Sequence, residues 1–210
     1  MTSTARRGRR PGAPDTRAGI LAAARAQFAT QGFTRTTIRG VAREAGVDPA
    51  LVHHYFGSKD DLFVAALELP VDPRTVIVPA LSGGLDGAAE RLLAAFLSVW
   101  DDPAMRASLL VVARGMLEPE GHAMLRDGFL PAVIVPAASV LGLDDPERRM
   151  SLVASQVMGL ILARYVLEIE PLASMSAREV VAAIAPNIQR YLEEPLSPAS
   201  GVEHNSSHGE

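Results

Sequence analysis

The chain has 210 residues, 20 of them basic and 24 acidic, and a formal net charge of −4. Apolar residues make up 48% of it, which argues against a disordered chain, and the absence of cysteine excludes disulfides, thiolate metal sites and cysteine nucleophiles. The charge is uneven, because residues 1–67 hold ten basic and five acidic residues whereas residues 68–210 hold ten and nineteen. A basic front suggests contact with a polyanion, although an arginine-rich solvated end would show the same balance.

The first residues do not have the pattern of a targeting signal. The arginine-rich stretch 1–10 is followed by prolines and charges instead of an apolar run. The longest uncharged apolar stretch, 129–143, contains two prolines and is too short to span a bilayer. We therefore expect a cytoplasmic protein without a membrane segment. Residues 1–14, rich in Arg, Gly and Pro, are expected to form a flexible basic arm.

Four helices are predicted in residues 15–68, which we expect to form the first domain. The first runs over 16–31, with apolar residues at every fourth position on one face, and ends at Gly32. The other three are predicted at 38–45, 49–55 and 59–68, with Thr37, Asp48 and Ser58 as their N-caps.

Residues 69–196 are predicted to form a second, larger helical domain. We expect 74–81 to be irregular, because Pro79 and the Ser-Gly-Gly run that follows interrupt its apolar residues. Helices are expected after Asp86, after Asp102, in short pieces over 119–142, from Asp145 to about 169, and from Ser176 to about 193. Residues 197–210 are expected to be a disordered tail. Since no segment has a convincing strand pattern, the predicted fold class is all-α.

The second and third helices, joined at Gly46, have the pattern of a helix-turn-helix. In that motif the second helix enters the major groove of DNA, and its N-terminal residues meet the base edges. Here Val52 and Phe56 would face the core. The residues presented outward would be Pro49, Ala50, His53 and His54. Thr37 and Lys59, which is the only lysine, stand at helix N-termini, where free N–H groups and the helix dipole favour phosphate.

A longer pattern runs without a break through residues 17–62. It consists of Arg17-x-x-Ile20-Leu21-x-Ala23-Ala24, Phe28, Gly32-Phe33, Thr36-Thr37-Ile38-Arg39-x-Val41-Ala42, Ala45-Gly46-Val47 and Val52-His53-His54-Tyr55-Phe56-x-Ser58-Lys59-x-x-Leu62. In this order and spacing, the segment resembles the DNA-binding signature of the TetR family of repressors. Beyond residue 68 the resemblance is one of architecture alone, a helical body of similar length.

The resemblance implies a homodimer whose helix-turn-helix domains bind an inverted-repeat operator in double-stranded DNA. Its second domains would dimerise and bind a small molecule that releases the DNA. The positions implied to contact phosphates are Thr37, Arg39, Tyr55 and Lys59. The positions implied to contact bases are Pro49, Ala50, His53 and His54. The sequence departs from the pattern at Leu51, where a small hydroxyl residue is common, so one phosphate hydrogen bond that the resemblance implies is missing. It also departs at His53, where tyrosine is common; a histidine would make binding pH-dependent if its pKa lies at about 6.5.

The helix around 153–167 is apolar on nearly all sides and must be covered on both. The resemblance supplies such a cover, a four-helix bundle of the last two helices of two subunits; a buried helix in a monomer is the alternative. The candidate lining of a pocket for a small apolar effector is Phe96, Trp100, Met105, Met116, Phe129, Met158 and Tyr165. Gln156 and Arg164 interrupt the apolar helix, either as a polar anchor for that ligand or in a salt bridge across the interface.

Two other classes of function stay open. An enzyme would need a nucleophile–base pair or paired carboxylates, and the nearest cluster, formed by Glu118, His122 and Asp127, is explained by surface charge; we predict no catalytic residue and no cofactor. His53 and His54 point about 100° apart on a helix, whereas helical metal ligands lie four residues apart, so no metal site is predicted. A non-specific DNA-binding protein would use the basic arm, but the acidic body disfavours it.

Overall fold

The structure is a computed structural model that describes residues 13–118, 121–122 and 125–196. Every regular element in these ranges is a helix, which confirms the predicted all-α class. The predicted tail and nearly all of the predicted basic arm lie outside the described residues. The first helix begins at Ala13, within the range predicted as arm, because a proline such as Pro14 is tolerated in the first turn of a helix.

Four helices form the head of the molecule. They are α1 (Ala13–Arg35), α2 (Ile38–Ala45), α3 (Pro49–Phe56) and α4 (Lys59–Ala66). The side chains of Thr37 and Asp48 cap α2 and α3 as predicted, and Ser58 forms a full capping box with Asp61 on α4. Gly32, with φ 76° and ψ 169°, interrupts α1 where its end was predicted.

The head has its own hydrophobic core. The rings of Phe28 and Phe63 meet edge-on with their centroids 5.1 Å apart, and Phe33 contacts both rings. Val41 and Val52 bring α2 and α3 into the same buried cluster. Because isolated helices of this length are marginal in water, burial of these faces stabilises the three short helices.

The body consists of further helices around a second core. They are α5 (Pro73–Leu81), α6 (Ala88–Trp100), α7 (Pro103–Leu117), α8 (Leu125–Ile134), α9 (Val135–Leu141), α10 (Pro146–Leu160) and α11 (Ala177–Glu193). The α8 segment is π-helical, and a π-helical turn, Ile161–Val166, continues α10. Helices α6 and α11 pack along each other, and Val180 and Ile188 of α11 are fully buried.

The prediction that residues 74–81 are irregular is wrong, because they belong to α5. Asp72 accepts a hydrogen bond from the Arg74 N–H at 2.9 Å, and Pro73 suits the first turn. Pro79 lies inside the helix without ending it. The favourable N-terminus, with its N-cap and first-turn proline, therefore allows the helix to form despite the internal proline.

Two predicted helix limits also differ from the structure. Asp86 does not cap α6, which begins after Gly87, a residue with φ 63°. The helix predicted to reach about residue 169 is α-helical only to Leu160, beyond which the backbone widens into the π-helical turn. Such turns add one residue per helical turn and change the direction of the side chains after them.

Head and body meet in a packed junction. Ala132 and Val133 of α8 are buried within the head core. Leu69, Ile77 and Ile134 contact both clusters of buried residues. The two cores are therefore continuous through the connection between α4 and α5 and through α8.

No single helix in the described residues is long and apolar enough to cross a bilayer. Two helical stretches, Arg126–Leu141 and Pro146–Val166, reach the required length and hydropathy only together, across a bend of 115°.

Candidate nucleic-acid interface and ligand cavity

Local hydrogen bonds build the helix pair α2 and α3. The Thr37 hydroxyl oxygen accepts from the Gly40 N–H at 3.0 Å, and the Asp48 carboxylate accepts from the Ala50 N–H at 2.8 Å. Between the helices Gly46 has φ 67°, a left-handed conformation that strains a residue with a Cβ atom. The two N-cap side chains and the left-handed glycine thus set the orientation of α3 relative to α2.

Helix α3 has one buried and one open face, as predicted. Val52 and Phe56 are buried in the head core. Of the eight residues predicted to contact DNA, Thr37, Arg39, Ala50, His53 and His54 are exposed, and Pro49, Tyr55 and Lys59 are half-buried. The predicted base contacts all lie on α3, and the predicted phosphate contacts come from the N-cap of α2, from α2 itself, from α3 and from the first residue of α4.

The imidazole of His53 is oriented by the end of its own helix. Its Nδ1 lies 2.8 Å from the carbonyl oxygen of Gly57. Because a carbonyl oxygen only accepts hydrogen bonds, Nδ1 carries the proton and donates it. The neutral ring therefore has Nε2 as an acceptor.

Lys59 connects the start of α4 to the end of α1. Its Nζ donates to the carbonyl oxygen of Thr34 at 3.3 Å and lies 4.3 Å from the centroid of the Phe33 ring. Partial burial lowers the pKa of the Lys59 ammonium below its ordinary value. The side chain is thus positioned beside a helix N-terminus, where cationic and N–H groups together favour phosphate.

An ion pair joins that N-terminus to the body. Asp61 accepts from the Ser58 N–H in the capping box, and its other oxygen accepts from Arg74 Nη1 at 2.8 Å. Arg74 also binds Asp72 at 2.8 Å. The Ser58 hydroxyl, which donates to Asp61 at 2.5 Å, and then Arg74 hold the pKa of Asp61 below its ordinary value. The first turn of α5 therefore contacts the helix that presents Lys59.

The body contains an apolar cavity of about 200 Å³. Its wall is formed by the connection after α4, by helices α5 to α8, and by α10 with its π-helical turn. Leu69, Ile77 and Ile134, which contact both cores, are part of the wall. The cavity therefore lies against the junction of head and body.

Four of the seven side chains predicted to line a pocket line this cavity: Phe96, Trp100, Phe129 and Met158. Tyr165 does not, because it is buried against the Trp100 ring and donates to Asp101 at 3.0 Å. Met105 packs against the body core without lining the cavity, and the side chain of Met116 lies outside the described residues.

Sequence reasoning missed the lining residues near the head, namely Leu69, Val71, Pro73, Val76 and Ile77. The available signal was their spacing, since residues 69, 73, 76 and 77 recur at helical intervals. The assignment of 74–81 as irregular concealed this pattern.

Neither Gln156 nor Arg164 lines the cavity. The Arg164 guanidinium is buried and donates to the carbonyl oxygen of Leu172 at 2.5 Å, with Asp101 at 3.6 Å. Arg164 thus makes its ion pair within its own chain. In the described part of the chain, no three His, Asp or Glu side chains are grouped so that they could hold a metal ion.

Comparisons with known proteins match both parts of the chain. Residues 20–66 match the model for bacterial regulatory proteins of the tetR family, and residues 86–192 match the model for the C-terminal domain of tetracyclin repressor-like proteins. The second match alone spans half of the chain. Together they confirm the resemblance seen in residues 17–62.

Individual relatives are regulators. The HTH-type transcriptional regulator HbdR of Aromatoleum sp. is 32% identical over 112 residues, 52% of this chain and 49% of that protein. The regulator BetI of Rhizobium meliloti is 44% identical over 54 residues, 26% of this chain and 27% of BetI. The chain thus spans half or less of these curated relatives. A TetR-family regulator of Streptomyces coelicolor with a solved structure is 41% identical, with 88% of this chain and 98% of that one covered and a TM-score of 0.48.

Proposed function

The chain belongs to the TetR family of bacterial transcriptional regulators, and from this premise we propose that it is a homodimeric repressor released from an inverted-repeat operator by a small apolar molecule. Residues 15–68 would form the DNA-binding domain and residues 69–196 the domain for dimerisation and effector binding. The observation that carries the proposal is the position of the apolar cavity against the junction with the DNA-binding head.

The surface of α3 supports sequence-specific DNA binding. Its exposed residues include two imidazoles, His53 and His54, which can bind base edges, while Val52 and Phe56 anchor the opposite face in the head core. Arg39 of α2 and Lys59 at the start of α4 add positive charge to the head. The acidic residues of the body disfavour a second, non-specific contact with DNA, because the body would be repelled by the phosphates.

Helices α10 and α11 support dimerisation. The buried face of α11 packs within its own chain, through residues such as Val180, Ile188 and Leu192. Its opposite face is exposed and carries short side chains, among them Ala182 and Ala183. Short side chains allow two helices to approach closely, so this face suits the four-helix bundle that the family resemblance implies.

The cavity wall supports a route from the effector to DNA. A ligand in the cavity would touch Leu69 and Ile77, which also contact the head core, and Arg74 on the same helix holds Asp61 of α4. Binding would favour one head–body arrangement over another. Two heads bind one operator only if their α3 helices fit successive major grooves, about 34 Å apart, so a changed arrangement would release the DNA.

Selection of the protein against a random duplex library tests the proposal. At about 150 mM salt, near physiological ionic strength, we expect retained duplexes to share an inverted repeat. The same selection in excess random-sequence competitor should leave that enrichment intact. Salt-sensitive binding without enrichment would indicate a non-specific DNA-binding protein and contradict the proposal, and so would the absence of binding at low salt after removal of bound ligand.

A further inference from the structure

The wall of the cavity contains no charged side chain among the described residues. It is built from Leu, Val, Ile, Ala, Met and Pro together with the rings of Phe96, Trp100 and Phe129. Of the residues between 116 and 137 whose side chains are not described, Glu120 is the one with a charged or hydrogen-bonding group. A ligand in the cavity would therefore lose its contacts with water and contact apolar side chains on nearly every side.

The charged groups next to the cavity have partners elsewhere. On the π-helical turn, Ile161, Leu162 and Val166 line the cavity, whereas Arg164 and Tyr165 do not. Arg164 is bonded to the Leu172 carbonyl oxygen, and Tyr165 to Asp101. Asp101, which follows the lining residue Trp100, also lies 3.5 Å from Arg106. Arg106 and Arg164 share the single carboxylate of Asp101, and none of these three side chains lines the cavity.

The size of the cavity narrows the class of ligand further. An apolar cavity of roughly 150 Å³ binds benzene, and this one measures about 200 Å³. One ring with a short branched substituent therefore fits, and three aromatic side chains in the wall can pack against its faces and edges.

We propose that the cavity binds an uncharged, hydrocarbon-like molecule of one substituted ring and rejects molecules of the same shape that carry a charge. An ion would lose its hydration without gaining a partner, which is the costly case for burial. The binding of this molecule does not depend on the proposed function, because it requires no DNA. Only its role as the effector that releases DNA rests on the proposed function. Shape alone would then distinguish one neutral ligand from another.

A pair of isosteric probes tests the charge selectivity. tert-Butylbenzene and phenyltrimethylammonium have the same shape and differ in one positive charge. In calorimetric titrations of the full chain, we expect tert-butylbenzene to bind at least 50-fold more tightly, and benzoate to bind as weakly as the cation. Binding of either ion within threefold of tert-butylbenzene would overturn the proposal, as would no binding of tert-butylbenzene up to its solubility.

Two neighbouring valines locate the binding site. Val112 lines the cavity, whereas Val111 is 72% exposed and does not. Val112→Phe should weaken tert-butylbenzene binding at least tenfold, and Val111→Phe less than twofold, with thermal unfolding showing that both variants fold. If Val112→Phe fails to fold, Val157→Phe fills the cavity from α10 instead. Unchanged affinity in a folded cavity variant would place the ligand elsewhere and refute the proposal.

DNA binding is measured separately on the duplex selected above. Release of that duplex by tert-butylbenzene, but not by phenyltrimethylammonium, would support both the charge selectivity and the effector role. Selective binding of tert-butylbenzene by a protein that never enriches a duplex would support the cavity proposal and contradict the proposed function. An enriched duplex together with equal binding of the two probes would support the proposed function and contradict the cavity proposal.

Discussion

Arg74 on α5 donates to Asp61 on α4, with Nη1 and Oδ1 2.8 Å apart. Asp61 is at the same time the third residue of α4 and completes the capping box with Ser58. One carboxylate therefore serves both the cap beside Lys59 and the contact between head and body. Its protonation would weaken both together.

The first prediction concerns acid stability. Because the pKa of Asp61 is lowered in the folded chain, chiefly by Ser58 and then by Arg74, its contribution is present above the ordinary value near 4 and is lost as pH falls through the lowered value. Asp61→Asn should destabilise the protein at pH 7, and its difference from the native chain should shrink as pH falls below the ordinary carboxylate value of about 4. Urea unfolding between these pH values measures this, with the exposed neighbour Asp60→Asn as control. A constant gap at all pH values would contradict it.

The second prediction separates phosphate contacts from base contacts. Lys59→Ala should weaken binding to all duplexes by a similar factor and reduce the salt slope by about 1, because it removes one cation at the backbone. His54→Ala should cost about 1–3 kcal/mol at particular base pairs and relax preference there. Lys59→Arg, which keeps the charge, serves as the control in the same binding titrations. Full affinity for DNA and unchanged base preference in both alanine variants would show that the DNA-binding surface is not on α3.

The third prediction concerns the junction of head and body. A methyl group added at Gly128 of α8 would overlap the ring of Phe63, which is fully buried and packs edge-on against Phe28 and Phe33. Gly128→Ala should therefore destabilise the protein by about 1–3 kcal/mol. Gly115→Ala, in α7 with nothing near its added methyl, should be neutral or stabilising by up to about 1 kcal/mol. Chemical denaturation of the two variants compares them, and equal stability would show that α8 does not pack on Phe63.

The fourth prediction concerns Arg149, which is only 3% exposed. Its guanidinium donates to the Tyr191 and Glu194 carbonyl oxygens at 2.6 and 2.9 Å, and to Asp144, so it caps the end of α11 from α10. Arg149→Met should cost about 2–3 kcal/mol of unfolding free energy, because those carbonyl groups lose their donor. The exposed Arg190→Met should cost less than about 0.5 kcal/mol. If α10 and α11 form the proposed dimer interface, Arg149→Met should also raise the dimer dissociation constant in sedimentation experiments.

Signals that act over a few residues were read correctly from the sequence. Thr37, Asp48 and Ser58 cap the helices that follow them, and Gly46 forms the turn, because each contact spans no more than four residues. The buried face of α3 followed from helical periodicity in the same way. These local features were enough to define the candidate DNA-binding surface.

Features that depend on tertiary contacts were not predicted. Helix α5 forms despite its internal proline, because Leu81 is buried in the body core and Asp72 caps the first turn. Tyr165 lies seven residues after Met158 and would share its face in a regular α-helix, but the π-helical turn between them changes the direction of its side chain. The cavity therefore has a wall that no single periodic pattern describes.

The position of Lys59 has a practical consequence for spectroscopy. Because it is the only lysine in the sequence, reductive methylation with isotope-labelled formaldehyde would place one side-chain signal in the whole protein, distinct from that of the amino terminus. That signal would come from an amine between the Phe33 ring and the Thr34 carbonyl group, so ring currents make its chemical shift sensitive to small displacements. Titrations with DNA and with cavity ligands could then be followed through the chemical shift of this single resonance in the head.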